Sequence, residues 1–211
     1  MLRYVILIPL KLVAATRNKK KLDEIRRILA GVDRVEVLGL ASDPDAPEVE
    51  ETGKSFEENA LKKAKEIAKY VKTWVLADDS GLEVDALGGA PGVYSARYAG
   101  PGATDEENLR KLLKEMENLP PGKRRARFRA VIALATPCGD TLTFSGQVEG
   151  TIGTEPRGDK GFGYDPVFYP SGHARTFAEM EAWEKDSMSH RGEALSKLGA
   201  YFEKVSKDFR N

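Results

Sequence analysis

Residues 74–98 read WVLADDSGLEVDALGGAPGVYSARY, and this stretch guides the interpretation of the rest of the chain. Its first four residues form a short apolar run, which favours a buried strand. The run leads directly into Asp78, Asp79, Ser80 and Gly81, so two carboxylates are expected at the C-terminal end of a strand. Neighbouring carboxylates repel each other unless another group offsets their charge.

The paired carboxylates admit two interpretations. In the first, Asp78 caps Gly81 in an ordinary turn. In the second, one carboxylate faces inward and the other outward, since side chains alternate along a strand, and a hard cation such as Mg²⁺ offsets their charge. The glycines of residues 88–92 and Arg97 follow, and functional residues concentrate in loops at strand ends. The combination favours a site.

The composition limits the classes of protein to consider. The 211 residues suffice for one domain with a substantial core. The 33 basic and 33 acidic residues balance, which argues against a general nucleic-acid partner. The single cysteine, Cys138, cannot form an internal disulfide, so we expect a reducing, cytoplasmic location. The apolar residues 4–10 are too few to cross a membrane and lack a signal-peptide cleavage site, so no membrane partner is expected.

The first part of the chain alternates predicted strands and helices. Residues 11–15 form the first strand, and a helix with an apolar stripe follows the turn at residues 16–21. Residues 35–38 form a second strand. A capping box at residues 55–58 begins a helix that ends at about residue 70.

The turn at residues 16–21 reads TRNKKK and also has two interpretations. A strand–turn–helix unit directs backbone N–H groups and the positive end of the helix dipole at the turn, which favours a phosphate. The turn lacks the glycine spacing of a P-loop, and three lysines can equally form a solvated basic face. The residues alone leave the two interpretations balanced.

The second part of the chain predicts a helix and a long hairpin. A capping box at residues 104–107 begins a helix that ends at about residue 117. Residues 127–136 form a long strand, residues 137–140 a turn, and residues 141–152 a returning strand. We expect this curved hairpin to extend the sheet.

Residues 158–169, which read GDKGFGYDPVFY, present aromatic rings on a flexible backbone. Glycines flank Phe162 and Tyr164, and Asp165 follows. Such a loop suits a flat ring that is stacked and hydrogen-bonded, although it could equally be an aromatic-anchored surface loop.

The start of the last predicted helix carries Lys185, His190 and Arg191. These side chains are well placed to donate hydrogen bonds to carbonyl or phosphate oxygens. A lone histidine is more often structural, but three such donors within seven residues favour a functional role.

Five stretches of the chain, taken together, resemble the non-standard purine nucleoside triphosphate pyrophosphatases, the inosine triphosphatase family. They are ATRNKKKLDEI, EETGKSFEENALKKA, ADDSGLEVDALGGAPGVYSARYAG, GFGYDPVFYP and EKDSMSHRGEAL. They occur in the family's order and cover nearly all of the chain from Lys11. Residues 1–9 have no counterpart, so we expect an N-terminal extension before a single domain of residues 10–211.

The resemblance implies a fold, an activity and an assembly. The fold is α/β, with an elongated central mixed sheet flanked by helices and two lobes around a cleft. The activity is hydrolysis of ITP, dITP and XTP to the nucleoside monophosphate and pyrophosphate with Mg²⁺, which cleanses the nucleotide pool. The assembly is a homodimer.

The resemblance also implies roles for individual residues. Asp79 would be the general base and a metal ligand, and Ser80 its neighbour at the substrate. Glu48 and Glu51 are further candidate metal ligands; which of these and Glu50 reaches the metal stays open. The residues expected near the triphosphate are Thr16, Arg17, Asn18, Lys19, Lys20, Lys21, Asn59 and Lys63. Those expected at the base are Phe162, Gly163, Tyr164, Asp165, Lys185, His190 and Arg191.

The expected chemistry separates hypoxanthine from adenine. A 6-oxo group accepts hydrogen bonds where adenine's 6-amino group donates, so donors such as His190 and Arg191 would favour the oxo form. Guanine also carries a 6-oxo group, and no residue in the sequence accounts for its rejection. Two alternatives stay open: a pyrophosphatase for pyrimidine or modified nucleotides, and a nucleotide-sensing or RNA-binding module without turnover. The pair Asp78 and Asp79 argues against the second, because a pure anion binder gains nothing from extra carboxylates.

Overall fold

The structure is a computed structural model that describes residues 10–40 and 43–208. The predicted N-terminal extension, residues 1–9, lies outside the described residues. The described chain divides into two compact units, and the first unit contains the described residues up to Asp79, Val131–Ser145 and those from Glu193 onward. The second unit contains Ser80–Ala130 and Gly146–Gly192. In the described residues no helix is both long and apolar enough to span a bilayer.

Six strands form one sheet in the order β2-β1-β3-β4-β5-β6. The strands are β1 (Leu10–Ala14), β2 (Val35–Gly39), β3 (Trp74–Val84), β4 (Arg125–Ala135), β5 (Thr141–Ile152) and β6 (Phe168–Pro170). The helices are α1 (Lys19–Leu29), α2 (Phe56–Val71), α3 (Asp105–Glu115), α4 (Ala182–Met188) and α5 (His190–Asp208). Strand β1 pairs in parallel with β2 and β3, whereas β5 and β6 are antiparallel. The predicted α/β fold with a mixed sheet is confirmed.

Helix α1 begins where the sequence predicted a turn into a helix. Asn18 caps it, because its side-chain oxygen accepts a hydrogen bond from the Lys21 backbone N–H at 3.1 Å. Leu22, Ile25 and Leu29 form the buried stripe of the helix. The helix therefore follows β1 after a short turn, and its apolar stripe is buried.

Helix α2 begins after Ser55, whose hydroxyl accepts from the Glu58 N–H at 3.2 Å. The second half of the predicted capping box differs, since Glu58 accepts from the Lys54 N–H at 2.7 Å. The carboxylate therefore ties the preceding loop to the helix. The helix ends at Val71, close to the predicted end.

Strand β3 corrects the prediction that Asp78 and Asp79 end a strand. It continues to Val84, and both aspartates are buried within it, with exposed fractions of 3% and 5%. The strand lies between β1 and β4 in the sheet order, and beyond the aspartates its Leu82 N–H donates to Ser95 Oγ at 2.9 Å. The alternative of a simple turn at residues 78–81 is also excluded.

The second unit has its own apolar core. Helix α3 has the predicted capping box, in which Thr104 and Glu107 bond each other's backbone N–H groups. Aromatic rings of Phe128, Phe168 and Phe177 pack together, with centroids of the first two 4.7 Å apart. The core includes buried side chains from β3, β4, α3 and the segment that contains β6.

Candidate active site

Two lysines and three carboxylates lie together in the first unit; we call Lys21, Glu51, Lys63, Asp78 and Asp79 the carboxylate–lysine cluster. Lys21 Nζ lies 2.6 Å from Asp78 Oδ1. Lys63 Nζ lies 2.6 Å from Glu51 Oε1 and 3.6 Å from Asp79 Oδ1. Lys63 also donates to the backbone oxygen of Asp78 at 2.7 Å. The two ammonium groups are thus shared among three carboxylates.

Three elements place these side chains. Strand β3 supplies the aspartates, and Lys21 lies in the first turn of α1. Lys63 lies on α2, one turn after the fully buried Asn59. The Asp78 side chain is completely buried and that of Lys63 is 12% exposed, so the cluster sits in a poorly hydrated environment. Coulomb interactions are stronger there than at the surface.

The charges of Asp79 and Lys63 depend on each other. Burial raises the pKa of Asp79, Lys63 opposes the rise, Glu51 adds to it, and Lys21 and Asn59 lower it, with a net increase. Burial alone would lower the pKa of Lys63, but Asp79, Glu51 and Asp78 raise it above its usual value. Lys63 therefore stays charged, while the negative charge at Asp79 is only partly compensated.

A divalent cation fits this chemistry. Asp79 Oδ2 is buried and has no hydrogen-bond partner within the described part of the chain. Mg²⁺ prefers carboxylate oxygens and is often held by one or two carboxylates together with substrate phosphates. Asp79 and Glu51 are the side chains that could hold it.

The predicted trio of metal ligands is not assembled. Glu48 is exposed. No three His, Cys, Asp or Glu side chains among residues 10–40 and 43–208 are grouped as a metal site would require. The candidate set reduces to the pair Asp79 and Glu51, in which Lys63 already contributes one positive charge.

The turn predicted to bind the triphosphate is locally hydrogen-bonded. Thr16 Oγ1 accepts from the Asn18 N–H at 3.1 Å, and Asn18 caps α1. Arg17 donates to the backbone oxygen of Ala46 at 2.6 Å. These contacts give Thr16, Asn18 and Arg17 structural roles in shaping the turn.

The three lysines of this turn differ. Lys19 and Lys20 are exposed, whereas Lys21 is half-buried and binds Asp78. For Lys21 this contact argues against a purely solvated basic face, and phosphate binding by the turn stays a prediction. Lys21 belongs to the carboxylate–lysine cluster, and its two neighbours lie on the helix surface.

A second group of candidate residues lies in the second unit; we call Ser80, Phe162, Asp165, Lys185 and Arg191 the aromatic–cation cluster. Asp165 Oδ2 accepts from Lys185 Nζ at 2.5 Å and from the Phe162 N–H at 2.8 Å. Lys185 Nζ also lies 4.8 Å from the centre of the Phe162 ring. Asp165 therefore orders the loop and holds a cation beside the ring.

Arg191 is the second cation of this cluster. It is 1% exposed, and its guanidinium donates to Ser80 Oγ at 2.8 Å. The guanidinium carbon lies 5.7 Å from the centre of the Phe162 ring. Two cations thus flank one partly exposed aromatic ring.

His190 and Tyr164 are both buried, and each contacts a residue that the sequence did not indicate. The His190 ring stacks on Phe128, with centroids 4.8 Å apart and an interplanar angle of 11°. Tyr164 is 4% exposed, and its hydroxyl donates to the Ser95 backbone oxygen at 2.9 Å. The expectation that Tyr164 offers a ring surface to the base is therefore wrong, because its ring belongs to the core.

Gly163 connects this loop to α3. Its N–H donates to Asp105 Oδ2 at 2.9 Å, and its φ of 60° lies in the left-handed region that favours glycine. Sequence reasoning missed Asp105 as a support of the loop. Its only signal was its place in the first turn of a capped helix, where carboxylates are common.

The chain is similar in sequence and in structure to several known proteins. The chain is 55% identical over 188 residues to a dITP/XTP pyrophosphatase of Geobacter sulfurreducens, covering 89% of this chain and 94% of that protein. A HAM1 protein from Coxiella burnetii has a similar structure, with a TM-score of 0.83 and 43% identity over 92% of this chain and 99% of that one. A nucleoside-triphosphatase / dITP/XTP pyrophosphatase from Mycobacterium abscessus gives a TM-score of 0.72 and 46% identity over 90% and 98%. The model of the Ham1 family matches residues 12–201, so the chain belongs to the Ham1 family, as the resemblance in its sequence indicated.

Proposed function

We propose that this protein hydrolyses dITP, ITP and XTP to the nucleoside monophosphate and pyrophosphate. The carboxylate–lysine cluster supports the proposal most directly, because it combines two half-buried cations with an incompletely compensated carboxylate. Two proteins with similar sequence or structure carry the name dITP/XTP pyrophosphatase.

The lysines would stabilise the triphosphate as water attacks the α-phosphorus. Negative charge then develops on the non-bridging and leaving oxygens, and buried cations stabilise such charge strongly. Lys21 and Lys63 are already held in place by Asp78 and Glu51, so little reorganisation is needed when phosphate oxygens approach.

Asp79 would accept the proton of the attacking water. Burial raises its pKa, which makes the carboxylate a stronger base than an exposed aspartate. Its Oδ2 has no hydrogen-bond partner within the described residues, so this oxygen is the one suited to accept the proton or to contact a cation.

Mg²⁺ is part of the proposal, with Asp79 and Glu51 as the residues that would hold it. When bound, it would neutralise charge on phosphate oxygens. Lys63 contacts both carboxylates and would limit their repulsion before the ion binds.

The aromatic–cation cluster would read the base. The ring of Phe162 offers a stacking surface, while Lys185 and Arg191 present donors that suit a 6-oxo group. Adenine would place an amino group against these donors, and an unsatisfied buried donor costs about 1–3 kcal/mol. His190, stacked on Phe128, would add a further donor at the start of α5.

The assembly and the location follow from the resemblance and the composition. We propose a cytoplasmic homodimer, and light scattering on the purified protein would test the assembly. A monomer at micromolar concentration would contradict it.

One assay tests the function. The protein is incubated with dITP, ITP, XTP, dATP, GTP and a pyrimidine triphosphate, with and without MgCl₂, and pyrophosphate and phosphate are measured separately. We expect pyrophosphate from the 6-oxopurine substrates dITP, ITP and XTP, and only with Mg²⁺. Release of phosphate, or faster turnover of a pyrimidine triphosphate, would contradict the assignment, and binding without turnover would indicate a sensing module.

A further inference from the structure

The loop of residues 50–54, which carries Glu51, is fixed to the helix that follows it. The Gly53 N–H donates to Asn59 Oδ1 at 2.7 Å, and the Lys54 N–H donates to Glu58 Oε2 at 2.7 Å. Lys63 Nζ binds Glu51 Oε1 at 2.6 Å. The position of the Glu51 carboxylate is therefore set by α2.

Asn59 is the buried member of these contacts, with an exposed fraction of 0%. Because its Oδ1 accepts from Gly53, the orientation of the amide is determined, and Nδ2 is turned away from the loop. Nδ2 is buried and has no hydrogen-bond acceptor within the described part of the chain. In this buried amide Oδ1 accepts a hydrogen bond, whereas Nδ2 lacks a well-formed one, and such an arrangement in a protein interior requires an explanation.

The amide of Asn59 also acts on Asp79. Nδ2, the only group of the amide that can donate to a carboxylate, lies near enough to Asp79 to oppose the rise in its pKa caused by burial, although the contact does not reach good hydrogen-bond geometry. Asp79 Oδ2 is itself buried without a hydrogen-bond partner in the described residues. One side chain thus interacts with both the loop that carries Glu51 and the carboxylate of Asp79.

Gly53 independently shows how closely the loop approaches Asn59. A Cβ at this position would lie 2.6 Å from Asn59 Oδ1 and 2.8 Å from Glu58 Cβ, closer than real Cβ contacts allow. A side chain at residue 53 would therefore push the loop away from α2. Because glycine has no Cβ, the Gly53 N–H can approach Asn59 closely enough to form the hydrogen bond.

We propose that Asn59 is the positioning residue that sets Glu51 and Asp79 as a cation-binding pair, with Gly53 as its partner in the loop. The inference rests on the proposed function only for the identity of that pair. It goes further by assigning the arrangement of the pair to one buried amide that lies on a different element from either carboxylate.

The test compares Asn59→Ala, Gly53→Ala and the double variant with a matched control. Lys62→Ala is the control, because Lys62 Nζ bonds the same loop at Glu50 O, 2.7 Å, and Thr52 Oγ1, 3.1 Å, without contacting the pair. Each protein is titrated with MnCl₂ in the absence of nucleotide, and free Mn²⁺ is followed by electron paramagnetic resonance. The Mg²⁺ requirement for dITP turnover and the melting temperature are measured in parallel.

We expect each single variant to weaken Mn²⁺ binding and to raise the Mg²⁺ requirement by about 10–100-fold, the range for residues that orient ligands. The double variant should be no weaker than the weaker single variant, since both changes break one link. Lys62→Ala should stay within about twofold of the wild type, because it leaves the amide in place.

Three results would overturn the inference. The first is that the losses of Mn²⁺ affinity in the two single variants multiply in the double variant. The second is that Lys62→Ala loses as much Mn²⁺ affinity as Asn59→Ala. The third is that the wild-type protein binds no Mn²⁺. If Asn59→Ala does not fold, Gly53→Ala decides alone, and unchanged Mn²⁺ affinity in it overturns the inference. A wild type that binds Mn²⁺ but releases no pyrophosphate from dITP contradicts the proposed function instead, and the binding comparison still judges Asn59.

Discussion

The carboxylate–lysine cluster and the aromatic–cation cluster both contain two buried or half-buried cations, but their charge balance is opposite. In the first, Lys21 and Lys63 face three carboxylates, so negative charge is in excess among these residues. In the second, Lys185 binds the carboxylate of Asp165 and Arg191 donates to the hydroxyl of Ser80, so the side chains that define this cluster carry two positive charges and one negative charge. The first arrangement suits an added cation and a reaction on phosphate, whereas the second suits recognition of a carbonyl oxygen.

The largest effect should follow from removing the incompletely compensated carboxylate. Asp79→Asn keeps the shape of the side chain but removes the charge that would accept the proton and hold the cation. We expect kcat/KM for dITP to fall by about 10³-fold, with the melting temperature nearly unchanged. Asp85→Asn, the same change at a surface position in the second unit, is the control. Retention of more than about a tenth of the activity would rule out this role for Asp79.

Lys21→Ala should have a smaller effect, which should not depend on the nucleobase of the substrate. Lys21 would contact the triphosphate shared by all substrates, so kcat/KM should fall about 10–100-fold for dITP and dATP alike. The melting temperature should also fall, because the fully buried Asp78 side chain loses its partner. Activities are therefore compared well below the midpoint of the variant, with Lys65→Ala on the exposed side of α2 as control. A selective loss for dITP would place Lys21 at the base instead.

Substitution of the donors at the aromatic–cation cluster should change the selectivity between dITP and dATP. Arg191→Ala or His190→Ala should lower kcat/KM for dITP far more than for dATP. The ratio of kcat/KM for dITP to that for dATP should therefore fall by about 10–100-fold. The reason is that these donors match a 6-oxo group but oppose a 6-amino group. Arg110→Ala, an exposed arginine on α3, is the control. Equal losses for the two substrates would show that Arg191 and His190 support structure or phosphate binding.

Local patterns carried most of the fold prediction. The caps at Ser55 and Thr104 lie next to the helices they begin, so α2 and α3 were predicted close to their observed ends. The stripe of α1 was predicted, but the helix begins at Lys19, inside the predicted turn. The short strand β6 and helix α4 were missed, because three and seven residues are too few for a periodic pattern.

The sequence-based predictions were wrong where contacts between residues far apart in the sequence determine the structure. Strand β3 continues past Asp79 as part of the sheet and bonds Ser95 through the Leu82 N–H, and no local signal in the sequence reports these contacts. Tyr164 looked like an exposed ring, but its hydroxyl finds an acceptor 69 positions earlier in the chain. The lysine pairings of the carboxylate–lysine cluster likewise join α1 and α2 to β3, so the sequence could indicate its residue types but not its charge balance.

The smallest expected effect concerns Glu107, whose pKa is lowered, whereas the pKa of Asp79 is raised. The prediction tests whether hydrogen bonding causes the lowered value. Glu107, on the exposed start of α3, accepts hydrogen bonds from the Thr104 N–H at 2.7 Å and from its hydroxyl at 2.9 Å. These bonds lower the pKa of Glu107, the backbone bond most, whereas burial raises that of Asp79. Stability from a lowered pKa is present above the unfolded value, about 4.3, and is lost as pH falls through the folded value.

Glu107→Gln should therefore melt slightly below the wild type at pH 7, because a neutral amide accepts the two Thr104 hydrogen bonds more weakly than a carboxylate. As the pH falls and the wild-type carboxylate becomes protonated, the two melting temperatures should converge. Glu117→Gln, an exposed carboxylate change in the turn after α3, is the control and should give no such convergence. A Glu107→Gln difference that stays constant from pH 7 to about pH 3 would mean that side-chain packing rather than ionisation stabilises this cap. In that case hydrogen bonding would not be the source of the lowered pKa, and the contrast with the buried Asp79 would have to be explained differently.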